Sequence, residues 1–484
     1  MSRVTQHPEL AQLAPKPRPL SWACVAMGGS MLVTPGQPDA TFTGAASDSR
    51  EVKTGRLFFA LPGERVDGFD FCGQAAKAGA AALVVSAERG VPRDCDGVPV
   101  IAVADPRRAL GDLAASVRAR FSGRVVGVTG SNGKTTTKEL IAAALSSAGT
   151  VLATRGNLNT DVGMPLTVLE STEEEAFWVL EMAMRARGEI AYLSSIARPN
   201  VGVVTNVAGA HLERLGSIDE VARAKGEIFH GLAEGGVAVL PAGDPRIERE
   251  AGHLPESRKL RFSLFGHEAA AVRVLEVIPA GHDGSVIRLA AGKTPIVLRL
   301  PLAGEHNACN AAAALAVVQA LGLPLSPAAK SLEAAVLPPH RSRVFSLAGR
   351  NVMDDCYNAN PTSMLAALRT VAVSAGASGH AFAILGDMLE LGPETEQVHK
   401  ELGAEVARLG YAGLAVVGEL AAGMASGAEA AGLPRNRVLA GLDPELAAAA
   451  VAEWSKPGDW VVVKASRGMR LERALEALAR KLEG

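Results

Sequence analysis

Two apolar rhythms alternate along this chain. Short β-branched runs such as Val125-Val126-Gly127-Val128, Val201-Gly202-Val203-Val204 and Val461-Val462-Val463 read as strands buried on both faces. Stretches with apolar residues every three or four positions read as helices. In order, the pattern predicts strands over 57–61, 82–85 and 98–103, with an Ala-rich helix over 72–78 between the first two. A helix over 107–121 opens at Pro106 and delivers the chain to a strand over 125–128. A helix over 138–147, stopped by Gly149, leads to strands over 151–153, 177–180 and 201–207. A helix over 218–232 follows, then irregular strands over 237–240, 286–289 and 296–300, then an Ala-rich helix from Asn307 to Gly322. Pro338-Pro339 reads as a joint. Beyond it, strands over 381–385, 414–418 and 461–464 precede a closing helix over 470–482. Strands alternating with helices imply parallel sheets covered on both faces, with ligands met beyond the carboxyl ends of the strands.

One helix breaks its own pattern. Ile218, Val221, Ala222, Ile228, Phe229 and Leu232 form an apolar stripe over 218–232, and Lys225 lies inside it. Two readings stand: the ammonium reaches the edge of the stripe, or the buried amine loses its proton and is available for chemistry or modification.

The strand over 125–128 runs into a compact polar turn, Thr129-Gly130-Ser131-Asn132-Gly133-Lys134-Thr135. A strand, a Gly-rich turn and a helix start is the geometry that holds a phosphate chain. Backbone N–H groups and the positive helix end face the anion, Lys134 adds a mobile charge, and Thr135 can ligate Mg²⁺. The common phosphate-loop spacing asks for glycine where Val128 stands, so this loop is tighter. Glu181, at the end of the strand over 177–180, is the acidic candidate for the same cation. Asn307 and Asn310 share one helix face near its start; one could cap the helix, or both, with His306, could meet a base or ribose. Asp48 and Arg50 precede a strand, where they form a local ion pair or meet a charged ligand.

Composition narrows the function classes. At 484 residues the chain is too long for one core. A formal charge of −2 and 4% aromatic residues supply neither a basic field nor stacking platforms, so nucleic acid is not an expected partner. The five cysteines are scattered without a C-x-x-C, which argues for a reducing compartment and against zinc. No apolar run reaches membrane-spanning length and the first twenty residues lack a signal-peptide core, so a cytoplasmic chain without membrane insertion is expected.

In order along the chain stand SDSR (47–50), TGSNGKTTTKE (129–139), GNLNTDVGMP (156–165), EMAMRARGEIA (181–191), NVAGAHLERLGS (206–217), AKGEIF (224–229), GEHNACNAAAA (304–314), DDCYNANPTSM (354–364), GDMLELG (386–392) and VKASRGM (463–469). Together they resemble the Mur ligases, ATP-dependent amide-forming enzymes of peptidoglycan precursor synthesis. The likeness covers roughly residues 19 to 482. It implies an α/β chain of three domains. These are a small N-terminal UDP-sugar-binding α/β domain over 19–104 after a mobile extension over 1–18, a central P-loop ATPase domain with a mostly parallel sheet over 105–338, and a C-terminal Rossmann-like α/β domain over 339–484. The last three motifs resemble those of members that join D-alanyl-D-alanine to UDP-MurNAc-tripeptide, so these two small molecules are the implied substrates of an expected monomer.

The resemblance also implies residue roles. Residues Thr129 to Thr135 would hold ATP, with Lys134 at the phosphates. Thr135 and Glu181 would hold a first Mg²⁺, and His211 and Lys225 a second, Lys225 matching a lysine that many members carbamylate. Asn307 and Asn310 match adenosine-side contacts, and Asp355, Tyr357 and Asn358 a cluster facing ATP. Arg341 matches an arginine that reaches the phosphates, with Arg343 as the alternative register. Ser47, Asp48, Ser49, Arg50, Asn157, Asn159, Thr160, Asn360 and Asp387 match substrate-side positions. Ala183 and Ala465 stand where glycine is common in the family. Rival readings are a sister ligase with another acceptor, a P-loop switch or kinase, and a nucleotide-binding scaffold without turnover.

Overall fold

The computed structural model describes residues 15–483 apart from positions 35, 38, 39, 64, 65, 96, 210–214, 377, 378, 390 and 421. The chain divides into two compact units. Met1–Thr129, Ala148–Gly202 and Glu227–Val237 form the first, and Gly130–Ser147, Val203–Gly226 and Ala238–Gly484 the second.

The first unit contains a five-stranded sheet in the order Ser30–Val33, Val100–Val103, Ala82–Ser86, Leu57–Phe59, Ala45–Ala46. Only the Ser30–Val33 edge is antiparallel. Phe58, Leu83, Val85, Val100, Cys72 and Ala75 share a core on this sheet, which explains why the runs at 57–61 and 82–85 carry no polar alternation. The helix Pro106–Arg120 is capped by Asp105, whose carboxylate accepts the N–H groups of Arg107 and Arg108. It ends beside Phe121, whose ring stacks on the buried Trp178 at 3.8 Å. Trp178 belongs to the strand Phe177–Glu181, which lies parallel between Arg124–Thr129 and Val151–Ala153 with Glu181 opposite Val128. The buried Arg18 is satisfied by Glu173 (2.9 Å) and by the carbonyls of Leu169 and Ser171. Burial lowers its guanidinium pKa, and Glu173 opposes that fall.

In the second unit the phosphate-type turn leads into the helix Lys134–Leu145. This helix starts at Lys134, four residues before the predicted start. Gly133, at φ +76°, is its N-cap, and glycine alone adopts that conformation without strain. The strands Val237–Pro241, Lys259–Leu264 and Val272–Pro279 run parallel. Ser285–Ala291 and Thr294–Leu300 then complete an antiparallel meander on Val272–Pro279. The helix Glu305–Ala320 is buried along most of its length, its many alanines allowing close approach to Lys134–Leu145.

The same unit ends in a six-stranded sheet, ordered Arg343–Leu347, Arg350–Asp354, Trp460–Lys464, Ala381–Gly386, Gly413–Val417, Val438–Gly441, parallel except for its first pair. One apolar core, with Met364, Leu368, Val406 and Met424, covers one face; another, with Val451, Leu471 and Leu478, covers the other. This is the doubly covered parallel sheet that the apolar runs predict. No described helix is long and apolar enough to cross a membrane, and none of the five cysteines forms a disulfide.

Candidate functional site

Within the first unit, Glu181 ends its strand almost fully buried. Its backbone N–H donates to Thr154 Oγ1 at 3.0 Å, and Asn159 Nδ2 donates to Oε1 at 2.7 Å. Oε2 is buried without a hydrogen-bond partner. A carboxylate oxygen left dry at a strand's carboxyl end is costly unless a cation takes it, and a hard dication fits that donor. Among the described residues no group of three or more His, Cys, Asp and Glu side chains could hold a metal. A Mg²⁺ ion that shares one protein carboxylate with phosphate oxygens needs no such group. Thr160 Oγ1 accepts from Gly163 N at 3.3 Å, and the Asn157 carbonyl accepts from Asn159 N at 2.8 Å, so the turn before Glu181 is internally braced. Thr129 closes the neighbouring strand with its Oγ1 also buried and unpartnered.

Ser47-Asp48-Ser49-Arg50 lies at the other sheet of that unit. Asp48 caps a short helical turn and is paired with Arg50, which pulls its carboxyl down to about 2. The ion pair foreseen there exists, while Ser49 Oγ donates to Gln74 at 3.0 Å.

The second unit carries the phosphate-type loop. Gly130 has φ +148°, and a Cβ there would lie 1.8 Å from Thr205 Oγ1. A Cβ on Gly133 would lie 2.7 Å from Asn310 Oδ1. Both glycines are therefore fixed by packing as well as by backbone angle. Asn132 is held on its N–H by Asn206 Oδ1 (3.0 Å) and on its carbonyl by Thr205 Oγ1 (2.6 Å) and Asn206 Nδ2 (3.0 Å). Ser131 Oγ donates to the Ala208 carbonyl and accepts the Ala208 N–H. Lys134 folds over the loop, its Nζ 2.8 Å from the Gly130 carbonyl and 3.2 Å from that of Ser131. Thr135 follows in the helix's first turn and is buried.

Lys225 is 2% exposed, as its place on the apolar stripe predicts. Loss of water pushes its amine well below the ordinary range, and the nearby Lys134 charge adds to the fall. The structure thus favours the buried amine over the reading in which it reaches the edge. His211, its expected companion, lies outside the described residues.

Neither asparagine of the Ala-rich helix is its cap, because Gly304 holds that position. Asn307 Nδ2 donates to the Ala303 carbonyl (2.8 Å), Asn310 Nδ2 to Asn307 Oδ1 (3.3 Å), and Asn310 backs Gly133. In the polar cluster, the Arg341 guanidinium lies 3.7 Å from the Tyr357 ring centroid, with Arg467 at 5.6 Å from the same ring. Arg343 instead sits over Phe345 on the first strand of the C-terminal sheet. Asp355 uses both oxygens internally: Oδ1 accepts the Ser342 N–H at 2.8 Å and Oδ2 pairs with Lys464. The Asn358 carbonyl also accepts from Lys464, at 2.9 Å. Asn360 caps the helix Pro361–Ala375 and contacts Asn132. Asp387 is buried beside Gly418 with Oδ1 unpartnered.

The second unit therefore gathers the loop, Asn310, Asn360 and Lys225, and separately the set around Tyr357. Sequence reasoning missed Thr205, Asn206 and Lys464. Their only signal was the polar residue that ends each apolar strand run.

Three family models match the chain: a Mur ligase family, catalytic domain over residues 41–118, a Mur ligase middle domain over 128–318, and a Mur ligase, glutamate ligase domain over 340–467. The UDP-N-acetylmuramoyl-tripeptide–D-alanyl-D-alanine ligase of Bacillus subtilis is 36% identical over 92% of this chain and 95% of its own length. A crystal structure of MurF from Acinetobacter baumannii is similar with a TM-score of 0.85 and 31% identity, covering 97% of this chain and all of its own. A MurF ligase structure from Thermotoga maritima in complex with ADP matches with a TM-score of 0.79 at 31% identity, over 91% of this chain and 98% of its own. With a braced phosphate-type loop and matches along nearly its whole length, this chain belongs to the Mur ligase family.

Proposed function

We propose that this chain joins D-alanyl-D-alanine to UDP-MurNAc-tripeptide at the expense of ATP, through an acyl phosphate, as a cytoplasmic monomer. The observation that carries the reading is the loop from Gly130 to Lys134. Each of its glycines is fixed by a polar side chain, and its lysine is folded over it. Likeness along the chain to a UDP-N-acetylmuramoyl-tripeptide–D-alanyl-D-alanine ligase supports the acceptor.

A peptide carboxylate and ATP are both anions, and water would hydrolyse an acyl phosphate. The protein must neutralise repulsion, align the carboxylate with the γ-phosphorus and exclude water. Lys134 is assigned to the phosphates, and Arg341 brings a second cation with a buried, unpartnered Nε. Asn307 and Asn310 serve the nucleoside side. Ser47 to Arg50 serve the UDP-sugar; Asn157, Asn159 and Thr160 the donor peptide; Asn360 and Asp387 the acceptor. Tyr357 and Asn358 face ATP, and Asp355 acts beside them.

Thr135 and Glu181 would hold one Mg²⁺, and His211 and Lys225 a second if the Lys225 amine is carbamylated; the orphaned Glu181 Oε2 supports the first site. Magnesium there would supply charge neutralisation between the two anions. A depressed amine pKa suits Lys225 to carbamylation, since the neutral amine reacts with carbon dioxide. The domain limits proposed are 1–18, 19–104, 105–338 and 339–484.

The test is phosphate release from ATP with UDP-MurNAc-tripeptide, comparing D-alanyl-D-alanine with single amino acids. Turnover only with the dipeptide supports the assignment. Turnover with a single amino acid points to a sister ligase, and none with any acceptor removes the proposal.

A further inference from the structure

We infer that Lys464 is a positioning residue for Arg341, acting through Asp355 and Ser342, an inference that rests on the ATP-dependent reading above. Lys464 ends the strand Trp460–Lys464 and is 2% exposed. A lysine ammonium that dry needs a carboxylate and further acceptors. It pairs with Asp355 Oδ2 and donates to the Asn358 carbonyl at 2.9 Å. Asp355 in turn accepts the Ser342 backbone N–H at 2.8 Å and its hydroxyl at 3.3 Å.

The residues either side of Arg341 are held in a conformation that L residues avoid. His340 has φ +64° and Ser342 φ +48°. Such backbone persists only where its surroundings over-determine it. Here they do: Asp355 grips Ser342, Asp354 Oδ2 accepts from His340 Nδ1 at 2.9 Å, and Tyr357 N donates to the His340 carbonyl at 3.0 Å. The turn presents Arg341 over the Tyr357 ring, and its buried Nε finds no protein partner. A fork-shaped cation fixed in place with a donor to spare suits a phosphate oxygen. Lys464 Nζ directs its bonds to Asp355 and Asn358 rather than to Arg341 itself. Its part is to keep the Asp355 carboxylate oriented and occupied, so that the strained turn does not relax.

The test is a double-variant cycle on the full chain, reading ATP affinity by calorimetry and kcat against KM for ATP in the ligation assay. Lys464→Met is expected to weaken ATP binding by about tenfold in the wild-type background, and by less than about twofold once Arg341→Ala is present. Lys464→Arg, which keeps the charge, should recover most of the loss. Equal losses in both backgrounds, or full affinity in Lys464→Met, would overturn the inference. If Lys464→Met does not fold, Asp355→Asn run through the same cycle carries the same outcomes. A wild-type chain that binds ATP but joins no acceptor removes the ligase reading and leaves this cycle readable by affinity alone.

Discussion

Asn360 donates its side-chain amide to the Oδ1 of Asn132 at 2.5 Å, joining a helix cap to the phosphate-type loop across 228 positions of sequence. The same side chain caps the helix Pro361–Ala375. Its Oδ1 accepts the Ser363 N–H at 2.9 Å, and Ser363 Oγ in turn accepts the Asn360 N–H at 3.1 Å. One amide thus sets both a helix start and the loop residue whose backbone Thr205 and Asn206 hold.

These two duties can be separated. Asn360→Ser keeps a capping hydroxyl and is too short to reach Asn132, whereas Asn360→Ala loses both. Stability by urea titration should fall within about 0.5 kcal/mol for the serine variant and by about 1 kcal/mol for the alanine variant. Both should lose ligation by about tenfold or more, because the loop's side chain is no longer held where a ligand needs it. A serine variant with wild-type kcat would show that the contact only braces the fold.

Lys134→Ala should abolish phosphate release while leaving the fold intact. Lys134 is in the first helical turn and its ammonium rests on loop carbonyls, where a phosphate would draw it away. Circular dichroism and phosphate release on the same preparation decide the matter. Near-normal turnover by a folded Lys134→Ala chain would refute the role.

Gly133→Ala meets two penalties at once: φ +76°, and a Cβ 2.7 Å from Asn310 Oδ1. The expected cost is about 1–2 kcal/mol of stability, together with weakened ATP binding as Asn310 is displaced. Adding Asn310→Ala should relieve the contact but not the backbone strain, so the pair should recover part of the stability and none of the affinity. Full recovery of both would mean that crowding alone sets the glycine.

Much of this was legible in the sequence, and the exceptions have physical causes. Strands such as Phe177–Glu181 and Val201–Val204 were readable because burial on both faces leaves uninterrupted apolar runs. Lys259–Leu264 and Val272–Pro279 were not, since Arg261, Arg273 and Glu276 interrupt them and a bulge shifts the register between Val274 and Glu276. The helix starts at Lys134, four residues before its apolar pattern begins, and its first turn, Lys-Thr-Thr-Thr, hides that start behind weak helix propensity and a glycine cap. Lys225 was identifiable from one helix's periodicity. Thr205, Asn206 and Lys464 were not, because their roles come from contacts between segments far apart in sequence.

His306 offers a test by pH. It lies in the first turn of the helix Glu305–Ala320, half-buried and close to Gly304. Loss of water pushes its imidazole from 6.5 down to about 4; the Lys464 charge lowers it further and the Asp355 charge opposes the fall. A helix N-terminus likewise disfavours a cation there. Between about pH 4 and 6.5 the unfolded chain therefore carries a proton that the folded chain refuses. Stability contributed by this group is complete above pH 6.5 and declines as pH falls toward 4. Allowing for the ring's partial exposure, the loss should be on the order of 2 kcal/mol. Urea titrations of wild type and His306→Gln at pH 4.5, 5.5 and 7 (about one pH unit or more apart, spanning the window) would report it. The wild-type curve should fall more steeply with acid than the variant's, whose remaining slope comes from groups common to both. Parallel slopes would mean that His306 takes up its proton in the folded chain at an ordinary pH.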